Sequence, residues 1–223
     1  MKKVFISRAL NSASIFKTKL KNEGFEIWDE SLLEFDLIPF EKIPAVDWIF
    51  FYSQKGVQFF FNHIRNNNIS FSKEIQFAGF GEKTAEAIEQ FTKCHFVGTG
   101  NAKTTAPIFL KIAGGQKILF PRAENSQRSI QQLIDHQLIT IDLIIYKNFP
   151  KKEFDLPQMD YLFFMSPMNA KVFFQKYQLE KGQKVFAIGK TTAQALADLG
   201  IENVIFPKKP SEEELVKLLL ENQ

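Results

Sequence analysis

Short runs of apolar and aromatic residues alternate along the chain with stretches of helical spacing. Most runs lack a strict apolar and polar alternation, which is typical of strands in a parallel sheet covered on both faces. Ten runs predict strands near residues 3–7, 25–29, 47–52, 75–79, 94–98, 117–120, 139–146, 160–165, 184–188 and 203–206. Helix starts such as Ser166-Pro167 and the capping box Ser211-Glu-Glu-Glu214 lie in the gaps. This alternation predicts an α/β fold with parallel, doubly wound sheets.

The chain also repeats its own pattern. Three segments are echoed later in the same order: 4–8 by 118–122, 47–53 by 160–166, and 77–88 by 185–196. Each echo begins with a predicted strand and leads into a predicted helix start. Three echoes in one order indicate an internal duplication, and the sequence therefore predicts two related α/β domains.

Composition and charge narrow the class of protein. Apolar residues make up 45% of the 223 positions and 25 are Phe, so the chain can bury a substantial core. The net charge is only +3 and the basic residues are scattered, which argues against a general nucleic-acid or membrane-surface binder. A polyanionic ligand must then be bound by a few residues at one site, not by a broad basic surface.

Cysteine and histidine usage excludes two kinds of site. The single Cys94 rules out an internal disulfide, and three widely spaced histidines form no cluster typical of a metal site. The apolar run that ends at Ser7 is too short for a signal peptide, and no stretch reaches membrane-spanning length. We therefore expect a cytoplasmic protein without a structural metal site.

The candidate chemistry lies where predicted strands meet helix starts. Ligands of open parallel sheets bind at the carboxyl ends of the strands. Most turns at these ends carry a Lys or Arg, although a cation near a helix N-terminus opposes the helix dipole. Capping and solubility explain such residues in any single turn, but their recurrence predicts a ligand with several carboxylates or phosphates. The turns begin at Ser7-Arg8, Ser53-Gln-Lys55, Gly81-Glu-Lys83-Thr84, Pro121-Arg122, Ser166-Pro-Met-Asn169 and Gly189-Lys190-Thr191-Thr192.

Two further features permit more than one interpretation. Gly79-Phe-Gly81 resembles the start of a dinucleotide fingerprint, but the third glycine is missing and the second copy, with Ala187, loses the first. Tyr146 ends an apolar strand before a charged connector, where it could pack at a joint between domains or donate a hydrogen bond in a cleft. No Ser-His-Asp order or pair of catalytic carboxylates is evident.

Seven short motifs follow one another along nearly the whole chain. They are Val-Phe-Ile-Ser-Arg8, Asp47-Trp-Ile-Phe-Phe-Tyr-Ser53, Ala78-Gly-Phe-Gly81-Glu-Lys-Thr84-Ala85, Ile118-Leu-Phe-Pro-Arg122, Ile145-Tyr146, Phe164-Met-Ser166-Pro167 and Ala187-Ile-Gly189-Lys-Thr-Thr192-Ala193. Each is weak alone, but their number, order and spacing together resemble the uroporphyrinogen-III synthase family. The chain departs from the family pattern at Ala123, where Gly is frequent, and at Lys55, in a turn that usually reads Ser-aliphatic-Asn-small.

The resemblance implies an activity. It implies a cytoplasmic, monomeric hydro-lyase of tetrapyrrole and heme biosynthesis that needs no cofactor and can receive hydroxymethylbilane from hydroxymethylbilane synthase. The enzyme would close this linear tetrapyrrole to uroporphyrinogen III, with loss of water and inversion of the last ring. The substrate carries eight carboxylates and cyclises unaided to the uninverted isomer, so the enzyme must mainly impose a conformation and assist the departing hydroxyl.

The resemblance also implies roles for particular residues. Tyr146 would donate a proton or hydrogen bond to the leaving hydroxyl. Seven further side chains would bind the substrate, although either arginine could instead form a salt bridge within its own domain. These predicted substrate-binding residues are Arg8, Ser53, Thr84, Arg122, Ser166, Thr191 and Thr192.

The domain boundaries that the resemblance implies differ from a simple cut between the two copies. One flavodoxin-like domain would combine residues 1–31 with 150–223, and the other would be the continuous segment 43–138. Residues 32–42 and 139–149 would form a two-stranded linker, with the ligand cleft between the domains. A non-catalytic two-domain protein that closes on a small polyanion remains the alternative from another class, and a nucleotide-dependent transferase is a third.

Overall fold

Strands and helices alternate throughout the computed structural model, which describes residues 1–223. The strands are β1 Lys3–Ile6, β2 Glu26–Asp29, β3 Leu33–Leu37, β4 Trp48–Phe51, β5 Gln76–Gly79, β6 Phe96–Val97, β7 Lys117–Ala123, β8 Ile139–Pro150, β9 Tyr161–Phe164 and β10 Lys184–Ala187. The helices are α1 Ile15–Asn22, α2 Gln54–Asn66, α3 Glu82–Glu89, α4 Ala102–Ala113, α5 Gln131–Ile134, α6 Pro167–Lys176, α7 Lys190–Ala197 and α8 Glu212–Glu221. The predicted α/β class with parallel sheets is confirmed.

The first of two compact units contains Met1–Glu34 and Phe149–Gln223. Its sheet has the order β10-β9-β1-β2, and all three strand pairs are parallel. Counted along the chain from β1, the order is 2-1-3-4, which matches the first four strands of a flavodoxin-like sheet. The run predicted as a strand at 203–206 contributes only one bridge, between Ile205 and Phe186. It cannot extend, because Asn203 has a left-handed φ of 57° and Pro207 has no N–H to donate.

The second unit, Phe35–Asn148, contains a sheet of order β3-β8-β7-β4-β5-β6. The five strands from β8 to β6 are parallel. Numbered along the chain from β4 to β8, their order is 5-4-1-2-3. This is the flavodoxin-like order 2-1-3-4-5 in circularly permuted form, because the chain enters the sheet at the third strand of that order. The edge strand β3 runs antiparallel to β8. Two backbone hydrogen bonds show this direction: Leu32 O accepts from Lys151 N–H and Ile145 O accepts from Ile38 N–H, both at 2.9 Å.

Apolar side chains cover both faces of the second sheet. One face packs against α2 and α3 through a cluster that includes Phe51, Phe60 and Ile88. The other packs against α4 and α5 through a cluster that includes Phe50 and Phe109. The two aromatic neighbours Phe50 and Phe51 therefore point to opposite faces, as the two-residue period of a strand requires.

Gly79 is explained by a close approach of backbone. A Cβ at this position would lie 2.8 Å from the backbone nitrogen of Ala85 in α3. Glycine lets the end of β5 and the first turns of α3 pack at this distance. The first glycine of the Gly79-Phe-Gly81 segment therefore has a packing role in this fold.

We predict that Gly79→Ala destabilises the protein by about 1–3 kcal/mol, because α3 must move away from β5. Gly56→Ala is the matched control: its Cβ would meet atoms only at 3.5 Å and beyond, inside α2, where alanine is favoured over glycine. Thermal unfolding followed by circular dichroism measures both. A Gly79→Ala protein as stable as Gly56→Ala would contradict the packing role.

Candidate active site

Serine hydroxyls cap two helices at the carboxyl ends of strands, one in each unit. Ser53 Oγ follows β4 and accepts from Gly56 N–H at 3.1 Å. Ser166 Oγ follows β9 and accepts from Asn169 N–H at 3.2 Å. Such caps satisfy one of the free amides of a first helical turn. Each of the two predicted substrate-binding serines thus makes a structural bond as an acceptor, and its O–H group can still donate.

Two equivalent helices lack this kind of cap. The N-caps of α3 and α7 are Gly81 and Gly189, and neither supplies a side-chain acceptor. The predicted residues Thr84 and Thr192 occupy the third helical position and are buried. The amides of the first two residues, which include Thr191 in α7, make no hydrogen bond within the protein. Each turn therefore offers two N–H donors at the positive end of a helix, an arrangement that binds carboxylates.

Arg8, after β1, is paired within its own unit. Its Nη2 contacts Glu212 Oε1 at the first position of α8. The second oxygen of Glu212 accepts from Ser14 Oγ at 2.8 Å and from Phe16 N–H at 3.1 Å, at the start of α1. The arginine therefore belongs to a contact that joins the N-terminal turns of two helices.

Arg122, in β7, is more fully engaged. Nε and Nη2 donate to the two carboxylate oxygens of Asp142 at 2.6 and 3.0 Å, and the side chain is 10% exposed. Nη1 donates to the backbone oxygens of Ala123 at 2.9 Å and Glu124 at 3.2 Å. Burial opposes ionisation of Asp142, but hydrogen bonds from Arg122 and Gln131, with the arginine charge, outweigh it and lower the pKa of Asp142. The Arg122 guanidinium therefore links β7 to β8.

Tyr146 lies directly after an irregularity in β8. Arg122 pairs with Ile144, whereas the next residue of β7, Ala123, pairs with Tyr146. Ile145 is therefore an extra residue, and Ile145 and Tyr146 both join the cluster on the α2 face. Such a bulge changes the face to which the following side chains point.

The environment of the Tyr146 phenol is aromatic and dry. Its ring stacks on Phe59 of α2, with centres 5.0 Å apart and planes 9° apart, and Phe35 lies 6.3 Å away on β3. The residue is 7% exposed, and its hydroxyl lies 3.3 Å from Ser53 Oγ. Burial raises the pKa of Tyr146, and the hydrogen bond with Ser53 offsets only part of this effect. The phenol therefore stays protonated at neutral pH and can donate a hydrogen bond.

The structure thus brings two of the eight predicted site residues, Tyr146 and Ser53, into direct contact. Arg122 belongs to the same unit but turns to the opposite face of the sheet, toward Asp142. Thr84 lies at its own turn, and the remaining four residues lie in the first unit, at the ends of β1, β9 and β10.

Three polar residues of these networks were not predicted from sequence. Asp142 interrupts the apolar run of β8, a signal that could have identified a partner for Arg122. Buried Asn169 accepts from Leu32 N–H at 2.7 Å and donates to Ser166 Oγ at 2.9 Å. Tyr52 accepts from the amides of Ile130 and Gln131 at 3.2 Å, and burial raises its pKa to about 12.

Neither a metal centre nor a membrane span emerges from the structure. No group of three or more His, Cys, Asp and Glu side chains is arranged to hold a metal ion. None of the eight helices combines the length and apolar character that crossing a bilayer requires.

Comparisons with known proteins agree with one another. The uroporphyrinogen-III synthase from Chlorobaculum parvum is 27% identical over 93% of this chain and 94% of its own. A putative uroporphyrinogen-III synthase from Methanocaldococcus jannaschii is 28% identical over 91% and 92%. The crystal structure of uroporphyrinogen-III synthetase from Helicobacter pylori matches the fold over both whole chains with a TM-score of 0.74 at 20% identity. A Thermus thermophilus uroporphyrinogen III synthase matches over both whole chains with 0.60 at 17%.

The sequence model of one protein family, described as uroporphyrinogen-III synthase HemD, matches residues 14–217. This match covers most of the chain and includes seven of the eight predicted site residues, all except Arg8. The chain belongs to the uroporphyrinogen-III synthase family.

Proposed function

We propose that the chain closes hydroxymethylbilane to uroporphyrinogen III, with Tyr146 as the group that assists the departing hydroxyl. The observation that carries this proposal is the buried, protonated phenol of Tyr146 in contact with Ser53. Membership of the family supports the reaction, and the geometry supports the role of the residue.

Substrate binding follows from the free donors at the strand ends. The eight carboxylates of hydroxymethylbilane need N–H and O–H donors more than a specific catalytic constellation. The uncapped amides of α3 and α7 supply such donors in both units, beside Thr84, Thr191 and Thr192. Ser166 would add its hydroxyl to the same set, and Ser53 would contact the substrate beside Tyr146. We propose that these groups bind carboxylates of the substrate.

The hydrogen-bond direction around Tyr146 supports its role as a donor. Ser53 Oγ already accepts from Gly56 N–H, so its own proton is available for Tyr146 Oη. With that bond accepted, the phenolic proton can point to the substrate. As the carbon–oxygen bond of the substrate breaks, the departing hydroxide takes this proton and leaves as water. The methylene carbon that carried the hydroxyl is left cationic and is attacked by the substituted α-carbon of the last pyrrole ring, which gives a spiro intermediate. The bond from that α-carbon to its original bridging carbon then breaks and re-forms at the free α-carbon of the ring, and loss of the proton there regenerates the phenol.

For Arg8 and Arg122, direct contact with the substrate stays a prediction. It would require a substrate carboxylate to replace Glu212 or Asp142. The bonds from Arg122 to Ala123 O and Glu124 O support a different role, in which it fixes the β7–β8 register on which the position of Tyr146 depends. We propose that Arg122 positions Tyr146.

The proposal includes the setting of the enzyme. The proposed enzyme is a cytoplasmic monomer that receives hydroxymethylbilane from hydroxymethylbilane synthase, and the family resemblance supports this setting. The single cysteine fits a reducing compartment. Sedimentation analysis of the purified protein measures whether it is monomeric.

Incubation with freshly made hydroxymethylbilane tests the activity. We predict that uroporphyrinogen III is the main product with the protein, and that the uninverted isomer forms in a parallel sample without it. Chromatography of the oxidised porphyrins separates the two. Binding of the substrate with formation of only the uninverted isomer would favour the non-catalytic binding protein instead.

Tyr146→Phe tests the role of the phenol. We predict that kcat falls about 100-fold, within the range of a lost general acid, because the ring still packs on Phe59 but has no proton to donate. Tyr161→Phe is the matched control, since the Tyr161 hydroxyl contacts Lys2 Nζ in the other unit. A Tyr146→Phe enzyme with the turnover of the control would remove Tyr146 from the mechanism.

A further inference from the structure

Lys55 is a half-buried cation without a carboxylate partner. It occupies the second position of α2, where the helix dipole disfavours a positive charge. No acidic side chain forms a salt bridge with it, and its Nζ lies 3.8 Å from the centre of the Phe35 ring. Contact with an aromatic face compensates only part of the loss of hydration. Accordingly, burial lowers the pKa of Lys55.

A cavity of about 380 Å³ lies beside this ammonium group. Gln58, Asn62 and Asn66 of α2 line it, and their side-chain amides make no hydrogen bond within the protein. His63 also lines it, but its Nε2 already contacts Phe40 O at 2.8 Å. No acidic residue is part of the lining. At the N-terminal end of α2 the cavity therefore presents the Lys55 cation and the amide of Gln58, one turn further along the helix, a pair that fits a carboxylate.

The cavity shares its aromatic wall with the reaction site. Phe59 lines the cavity and stacks on the Tyr146 ring at 5.0 Å. Phe35, which holds Lys55 Nζ, lies 6.3 Å from the same ring. A group bound to Lys55 would thus lie next to the rings that contact Tyr146, within the same unit.

We propose that Lys55 and the neighbouring amides bind one carboxylate-bearing side arm of the substrate. The inference rests on the proposed function for the identity of the ligand. In the absence of substrate the ammonium contacts Phe35, and an incoming carboxylate supplies the missing counter-charge. Lys55 therefore contributes to substrate affinity, whereas the proton transfer remains with Tyr146.

Binding of uroporphyrin III, the stable oxidised form of the product with eight carboxylates, tests the site without any catalysis. We expect Lys55→Met to raise the Kd about tenfold, the effect of losing one charged hydrogen bond. Lys55→Arg should retain most of the affinity. Lys111→Met removes an equal charge from an exposed position in α4 and should leave the Kd unchanged. Porphyrin fluorescence measures binding, and thermal unfolding confirms that each variant is folded.

Three outcomes would overturn the proposal. The first is an unchanged Kd in Lys55→Met, and the second is an equal loss in Lys111→Met, which would indicate only a long-range effect of charge. The third is binding of the free dicarboxylate glutarate as tight as that of uroporphyrin III, which would assign the site to a small anion. If Lys55→Met does not fold, Lys55→Gln takes its place.

Kinetics with hydroxymethylbilane separate this inference from the proposed function. We expect Lys55→Met to raise KM by a similar factor with little change in kcat. A wild-type chain that makes no uroporphyrinogen III but binds uroporphyrin III through Lys55 would contradict the function and retain the site. A wild-type enzyme that makes uroporphyrinogen III, with a KM and a Kd that Lys55→Met leaves unchanged, would support the function and contradict the Lys55 site.

Discussion

The position of Tyr146 depends on a single extra residue in β8. Without Ile145 as a bulge, the alternation of the strand would direct Tyr146 to the face that carries Asp142, away from Ser53 and Phe59. With the bulge, the ring packs on α2 and its hydroxyl reaches the cap of that helix. Bulges of this kind recur beside active sites, where they redirect one side chain.

The pairing of Arg122 with Asp142 supports that irregularity. The guanidinium joins the carboxylate of β8 to two backbone oxygens at the end of β7, directly where the regular pairing is interrupted. Because an arginine can make five hydrogen bonds in fixed directions, it suits a position where strand pairing leaves carbonyls free. The arginine of the second repeat thus acts on the site through the backbone.

The duplication gives the two units the same helix starts, but only the second unit has a tyrosine at the position of Tyr146. In each unit a serine caps the helix after one strand, and a glycine leaves the amides of the next helix free. In the first unit, however, β1 and β2 pair without interruption and β2 ends at Asp29. Repetition therefore accounts for the similar helix starts in both units, and the departure from it accounts for the position of Tyr146.

Local sequence was enough to predict much of this structure. Apolar runs predict the parallel strands, and capping residues predict the helix starts at Ser166 and Ser211, because both signals act over a few neighbouring positions. Such local signals do not identify contacts between residues that are far apart in the sequence. The contact between Arg8 and Glu212 joins the two ends of the chain.

Strand register is a second feature that sequence patterns did not reveal. The apolar run around Ile144, Ile145 and Tyr146 is compatible with either face of the sheet, so it contains no sign of a bulge. The predicted strand at 203–206 failed for a related reason. Its apolar character favoured a strand, but the backbone at Asn203 and Pro207 prevents pairing beyond one residue.

The central claim is that packing between aromatic rings keeps the Tyr146 phenol protonated and available as a donor. The most direct measurement is a pH titration of the protein with ¹³C-labelled tyrosine Cζ, followed by NMR, with the Tyr146 resonance assigned from the spectrum of Tyr146→Phe. Because the phenol is buried, we expect this resonance to titrate above the ordinary tyrosine pKa of 10.0. Titration at or below that pKa would show a solvated phenol and would contradict the protection of Tyr146 by the surrounding rings.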